Sequence, residues 1–365
     1  MLKAAIRIVA VVCLMCWVAA CGHPPGQQAG QGGPESVYKG QTLNVLSWEG
    51  YQEDEWVKPF EDKYGVKVNV SYAGSVDEMF AKAASGSVHY DLIFMDGGSV
   101  TRYQKLNLLQ PIDTSKLKNT AQLIPAMNKL NEKHVTFEQK AYALPFAWGS
   151  LPLAVNRDKI KEPVDSWSVL WDDKYKGKIA TVDDANNQIS MTALLLGFKD
   201  PYQLTDDQME QVKQKLIEQK QLVRSYYTGF EDGKNLMASG EAWVIYTQGP
   251  TMVTDLQKAG MDVVEVVPKE GALVWIDNVT IGAKAQNPEL VHLYIDYLIS
   301  AEVQAQVVKK AGYGVVNQEA VKHISEKEAK DAHMDDADYF NRLVYVAFPE
   351  SFEKRVKLWN EVKAN

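Results

Sequence analysis

The chain has 365 residues, a formal net charge of -8 and three cysteines. With no basic block or basic amphipathic helix beyond its first residues, it is a poor partner for nucleic acid or anionic lipid surfaces. The mild acidity suits cationic small molecules, although it also serves solubility, and the length is ample for a buried core and suggests about two domains.

Lys3 and Arg7 precede an apolar run, Ile8 to Ala19, that is too short and wrongly flanked to span a membrane and fits a secretory signal. The run ends Val18-Ala19-Ala20-Cys21, which resembles the lipobox of bacterial lipoproteins. That resemblance implies a signal peptide over 1–20, diacylation of Cys21 and a membrane anchor there. Cys13 and Cys16 would leave with the signal, so the mature chain is expected to hold itself together without a disulfide. Residues 21–41 are rich in Gly, Pro and Gln and show no apolar period, the composition of a flexible tether that reaches roughly 25 Å.

From Thr42 strands and helices alternate. Leu43 to Ser47 reads as a strand, Glu53 to Tyr64 as a helix with Trp56 and Phe60 on one face, and Val66 to Tyr72 as a second strand. Pro59 either kinks that helix or marks its true start. Val76 to Ser85 is a helix stopped by Gly86, and Asp91 to Met95 a third strand. The βαβαβ order implies a largely parallel sheet that binds ligands at its carboxyl edge. Two chemically loaded loops fall there: Ser47-Trp48-Glu49-Gly50-Tyr51 and Asp96-Gly97-Gly98-Ser99.

Lys116 to Tyr142 shows little periodicity. Ala143 to Gly149 then leads into a strand, Leu151 to Asn156, which looks like a crossing into a second lobe. Ile179 to Val182 is a strand, followed by Asp183, Asp184, Asn186 and Asn187 opening a helix, where acids usually act as caps. Thr205 with Gln208 forms a capping box for a helix that turns Met209, Val212 and Leu216 inward. Gly233 to Ser239 reads as a helix, and Ala242 to Tyr246 and Val263 to Val267 as strands. Gly271 to Gly282 is a buried strand that carries Trp275 and Asp277 on one face. A carboxylate in so apolar a run needs a cation or hydrogen-bond donors. Asn287-Pro288 starts a helix, Ala301 to Ala311 forms another, and Glu350 to Lys363 a last one with Phe352, Val356 and Trp359 as its stripe.

No nucleophile elbow, P-loop, His-Glu-x-x-His or dinucleotide fingerprint is present, and the six histidines are scattered without metal-ligand spacing. Binding fits the residues better than catalysis, and no cofactor is expected. Trp48, Tyr51, Tyr246, Trp275 and Tyr313 fall at strand ends or in loops beside Asp96, Asp184 and Asp277. Aromatic faces attract an ammonium by roughly 0.5 to 2 kcal/mol each and bury methylenes, while carboxylates fix cationic ends. Such a pocket selects an alkylamine or diamine.

At these residues the chain resembles the bacterial spermidine/putrescine-binding proteins of ABC transporters. Leu43 to Tyr51, Tyr90 to Met95, Tyr142 to Gly149, Ser166 to Ile179, Val274 to Ile281 and Ala311 to Asn317 carry the resemblance, most tellingly the Ser-Trp-x-x-Leu-Trp-x-x-x-Tyr-Lys-Gly and Trp-x-Asp runs. It implies an α/β, two-lobed periplasmic-binding (type II) fold, each lobe a mixed, mainly parallel sheet flanked by helices. Lobe 1 would be 42–147 plus 277–320 and lobe 2 would be 148–276 plus 321–365, with hinge crossings near 148 and 276 and a third return near 320. It also implies ligand contacts from Trp48, Tyr51, Asp184, Trp275, Asp277 and Tyr313, and Glu49 in the first loaded loop is a further candidate. Three departures stand out: Asn187 replaces a family acid, Tyr246 a pocket Trp, and Asp96, Gly97 and Gly98 small polar or aromatic positions. The implied mechanism is hinge closure by a monomer that an ABC permease then recognises. An opine, quaternary amine or aminophosphonate is the alternative cargo. Tyr226-Tyr227 resembles the tyrosine pair of ferric-iron-binding proteins, but adjacent residues of a strand point oppositely.

Overall fold

A computed structural model describes residues 37–365 apart from 335, 337 and 350. The signal, Cys21 and most of the tether lie outside these residues. From Tyr38 the chain is already held, because the Gly40 N–H donates to the Gly65 carbonyl at 2.7 Å and Tyr38 packs against a core.

Two sheets form the two lobes. The first runs, edge to edge, through strands Gly314–Val315, Ala143–Leu151, Ala272–Gly282, Leu92–Asp96, Thr42–Ser47 and Lys67–Tyr72, with Leu109–Gln110 and Leu343–Tyr345 pairing along Ala272–Gly282. Thr42–Ser47 pairs parallel with both its neighbours, as the strand–helix–strand order requires. The second sheet has Val223–Tyr227, Ile179–Val182, Val244–Tyr246, Leu153–Asn156 and Val263–Val266 in that order. The first sheet is covered on both faces, by Trp56, Phe60 and Tyr294 on one side and Met79 and Tyr103 on the other. The second sheet's core holds Trp167, Ile245 and Tyr246, with Trp167 packed on Tyr246, while Val212 and Trp359 belong to a separate cluster beside the helix Ala185–Leu195.

The helices end where sequence chemistry says they should. Gly86 takes a left-handed φ of 67°, Thr205 and Gln208 form the reciprocal capping box, and Asn287 accepts the Leu290 N–H. Pro59 lies within the helix Asp54–Tyr64 rather than at its start.

Three elements differ from expectation. Ala143–Leu151 is itself a strand, buried at all nine positions, and Pro152 separates it from Leu153–Asn156, which joins the other sheet. With Ser150 its only polar residue it shows no period-2 signal, and Pro145 is tolerated where a bulge lets Asn278 face Pro145 and Asp277 face Ala147. A helix, Pro125–Val135, occupies part of the stretch that lacked periodicity. The last helix, Phe352–Ala364, buries Arg355, Leu358, Trp359 and Val362, whereas Phe352 and Val356 are 37% and 38% exposed. An arginine inside the true stripe disguised it. Near the end of the chain, Ala320 and Ala332 pack in the first lobe's core and Tyr339 and Phe340 in the second's.

Candidate ligand-binding site

Ala143–Leu151 and Ala272–Gly282 are antiparallel neighbours from Leu151↔Leu273 to Ala143↔Thr280, and both pass between the lobes. The alternation of Ala272–Gly282 buries Ile276 and Asn278 and leaves Trp275 and Asp277 half-buried on the other face. Trp275 faces Gly149 across the pair. A Cβ at Gly149 would lie 2.4 Å from the Trp275 ring, so the absence of a side chain there lets the indole lie flat over the partner strand.

Around Asp277 the first lobe assembles an aromatic corner. The Tyr51 hydroxyl donates to Asp277 Oδ2 at 2.6 Å. The Tyr313 ring stands edge-on to Trp275 at 5.1 Å and to Tyr51 at 6.2 Å. Asp96, at the end of Leu92–Asp96, is the register partner of Asp277. Its carboxylate caps the turn after it, accepting from the Ser99 N–H at 3.0 Å and the Ser99 hydroxyl at 2.5 Å. Trp48 packs between the two first-lobe cores, and its Nε1 finds no acceptor among the described residues. Glu49 is exposed beside this corner.

Burial dominates the electrostatics. It pushes the Asp277 carboxyl up to about 7, with the Tyr51 bond pulling down and the Asp96 charge pushing further up. Burial also raises Asp96 against the pull of its Ser99 bonds, and raises Tyr51 and Tyr313, which Asp277 lifts further. Two facing carboxyls in an apolar setting are short of positive charge.

In the second lobe, Asp184 caps the helix Ala185–Leu195 by accepting the Asn187 N–H at 2.7 Å. Burial raises its carboxyl as well. Asp183, by contrast, is engaged with Lys363 at 2.8 Å and the Trp359 Nε1–H at 2.6 Å. Tyr246 is fully buried edge-on to Trp167 at 4.9 Å, and Asp184 and Tyr202 lift its phenol beyond what burial does. Tyr226 packs on Trp359 while the Tyr227 hydroxyl donates to the Tyr246 carbonyl, so these adjacent tyrosines serve opposite faces. Among the described residues no group of three or more His, Cys, Asp or Glu is arranged to hold a metal ion.

Sequence reasoning missed the residues that link the two groups. Tyr345 feels the charges of Asp96, Asp277 and Tyr202, stacks on His134 at 3.9 Å, and its hydroxyl donates to Asn131 Oδ1 at 3.4 Å. Asn131 in turn donates to Asn278 Oδ1 at 2.7 Å. A Cβ at Gly97 would strike the Tyr345 hydroxyl, so Gly97 makes room for it. The apolar run Leu343 to Phe348 and the polar Asn278 inside an apolar strand were the available signals.

Two lobes joined by paired strands, with aromatic and carboxyl side chains at the junction, define the class of extracytoplasmic solute-binding proteins. Residues 55–335 match the family described as bacterial extracellular solute-binding protein, and the chain belongs to that family. It is 30% identical over 295 residues to a spermidine/putrescine-binding periplasmic protein of Escherichia coli K12, which spans 80% of this chain and 82% of that one. It is 26% identical over 342 residues to a putrescine/cadaverine-binding protein of Pseudomonas aeruginosa, 88% of this chain and 94% of that one. Among solved structures, a spermidine/putrescine ABC transporter substrate-binding protein of Streptococcus pneumoniae matches with a TM-score of 0.78 at 22% identity, covering 89% of this chain and 99% of that one. That likeness establishes the two-lobed, type II periplasmic-binding fold.

Proposed function

We propose that the protein captures a polyamine of the putrescine/spermidine kind, or a related organic amine, outside the cytoplasm and hands it to the permease of an ABC transporter. The observation that carries this reading is Asp277, a half-buried carboxyl held by Tyr51 and flanked by Trp275 and Tyr313 at the lobe junction. An ammonium seated there restores the missing charge, and the rings cover the methylenes. Trp48, Glu49, Asp96, Asp184, Asn187 and Tyr246 complete the proposed site, which rejects anions by repulsion.

Capture works by closure of the lobes about the two crossing strands, with 42–147 plus 277–332 on one side and 148–276 plus 339–365 on the other. We place the third passage between Ala332 and Tyr339 rather than near 320, because these residues pack with different lobes. The protein acts as a monomer tethered through a lipid on Cys21, and its relatives' role in transport supports binding without catalysis. Thermal unfolding of the unacylated chain against putrescine, spermidine, cadaverine, agmatine, choline, an aminophosphonate and ferric citrate tests the reading. Ligand at about a hundred times its Kd stabilises by about 2.7 kcal/mol, a clear rise in Tm. A shift with any polyamine supports the proposal, and a shift with choline, the aminophosphonate or ferric citrate alone overturns it.

A further inference from the structure

Asp96 and Asp277 are register partners on antiparallel strands, so their side chains leave the same face of the first sheet. Tyr51, Trp275 and Tyr313 stand around Asp277. The Asp96 side is covered differently. The turn that Asp96 caps continues as Gly97-Gly98-Ser99, and a Cβ at Gly98 would lie 2.5 Å from the Phe348 ring and 3.1 Å from Asp96 Oδ1. The ring and the carboxylate therefore converge on one spot, which the missing side chain of Gly98 leaves open.

Phe348 reaches that spot from the other lobe. The Val346 N–H donates to the Val274 carbonyl at 2.9 Å, the Asn186 amide donates to the Ala347 carbonyl at 2.9 Å, and the Phe348 ring packs on Phe352 at 5.5 Å. Asn186 belongs to the helix that Asp184 caps, so the ring and Asp184 are carried together. Yet Phe348 is 43% exposed, held out over an acid of the opposite lobe, and a ligand's methylenes would bury it. On its other side the ring lines a cavity of about 720 Å³ together with Tyr345 and the exposed Lys133 and Lys199. Two lysines repel an ammonium, so the ring stands where ground favourable to an amine ends.

We propose that Phe348 is a further ligand-contact residue, the wall that closes the Asp96 side of the amine site, and that Gly98 is the positioning residue that admits its ring. This rests on the amine reading above and deepens it. The ring covers the ammonium and adjoining methylenes held at the Asp96–Asp277 pair. Because it travels with Asp184, that cover depends on the angle between the lobes.

The test is titration calorimetry at about pH 8 with whichever of putrescine and spermidine binds the unaltered chain more tightly, repeated on Phe348→Ala, Gly98→Ala and the double variant. Phe348→Ala should weaken binding about tenfold through loss of one ring face, while melting curves of the ligand-free protein stay close to those of the unaltered chain. Gly98→Ala should weaken binding to a similar degree, because its methyl displaces the ring. In the Phe348→Ala background it should cost little more, since no ring is left to displace. Unchanged affinity in Phe348→Ala, or an equal loss from Gly98→Ala in both backgrounds, overturns the inference while leaving the amine reading intact. Failure of every polyamine to bind the unaltered chain overturns the amine reading and this inference together.

Discussion

The Asp277 carboxyl, pushed up to about 7 by burial, sets opposite demands on binding and on stability. An ammonium ligand needs the ionised form, so below about pH 7 each binding event must first expel a proton. Amine affinity should therefore fall about tenfold per pH unit below that point and level off above it, as read by calorimetry at several pH values. A flat profile between about pH 5 and 8 would remove Asp277 from the site. The linkage to folding runs the other way. Because the folded value lies above the ordinary 3.8, the folded chain holds a proton that the unfolded chain has released. The stability this confers is complete below about pH 4 and is lost as pH rises through about 7. Asp277→Asn removes the ionisable group yet can still accept from the Tyr51 hydroxyl. It should raise the Tm of the ligand-free protein at about pH 8 while weakening amine binding at least about a hundredfold. Melting curves and titrations on the same sample check both halves, and unchanged affinity would refute the assignment.

Strand pairing controls where the rings go, and Gly149 is the sharpest case. In Gly149→Ala the new methyl meets Trp275 at 2.4 Å, so the indole must lift from the partner strand. The fold should survive, because either residue suits a strand, but amine affinity should fall about tenfold through loss of one ring face. Tryptophan fluorescence reports the ring's displacement, and wild-type affinity would show that Trp275 does not cover the ligand. Arg355 plays the matching part in the second lobe. Wholly buried in the last helix, it donates to Asn186 Oδ1 at 3.0 Å, to Ser190 Oγ at 2.9 Å and to the Pro201 carbonyl, and so pins the turn that carries Asp184 and Asn187. Arg355→Met fills similar space but orphans those acceptors, at a cost of about 2 to 3 kcal/mol in urea unfolding. The contrast between these two elements explains what the sequence revealed. Trp275 and Asp277 were legible because a polar residue in an apolar strand departs from its local pattern, and the caps at Asp184, Thr205 and Asn287 because they are local chemistry. Ala143–Leu151 carries only one polar residue, Ser150, and so shows no alternation, Arg355 reads as surface until its partners are known, and Tyr345 reaches Asp96 and Asn131 from more than two hundred positions away. Such long-range partners are set by topology, which periodicity does not encode.

At the scale of the whole molecule, the proposed closure would turn on the junction where the chain crosses between the lobes. Beside the two crossing strands, the third passage is fastened by the Tyr339 hydroxyl, which lies 2.6 Å from Ser150 Oγ and donates to Glu265 at 2.8 Å, and by His333, which contacts the same Glu265 at 3.1 Å. Phe348 reaches over Gly98 of the first lobe. These contacts gather at the junction, and the proposed site draws residues from both lobes. A ligand that holds Asp277 at one end and Asp184 at the other favours the closed form only by what it gains there, and moving the population from 1:99 to 99:1 takes about 5.5 kcal/mol. Closure predicts that a saturating amine lowers the radius of gyration in small-angle scattering, whereas Asp277→Asn at the same amine concentration keeps the ligand-free value. Occupancy must be shown by calorimetry on the same sample, because a bound amine with no compaction would refute hinge closure while leaving binding untouched. Compaction in Asp277→Asn would instead separate closure from this carboxylate, and the permease would then be reading a shape that the ligand's charge does not set.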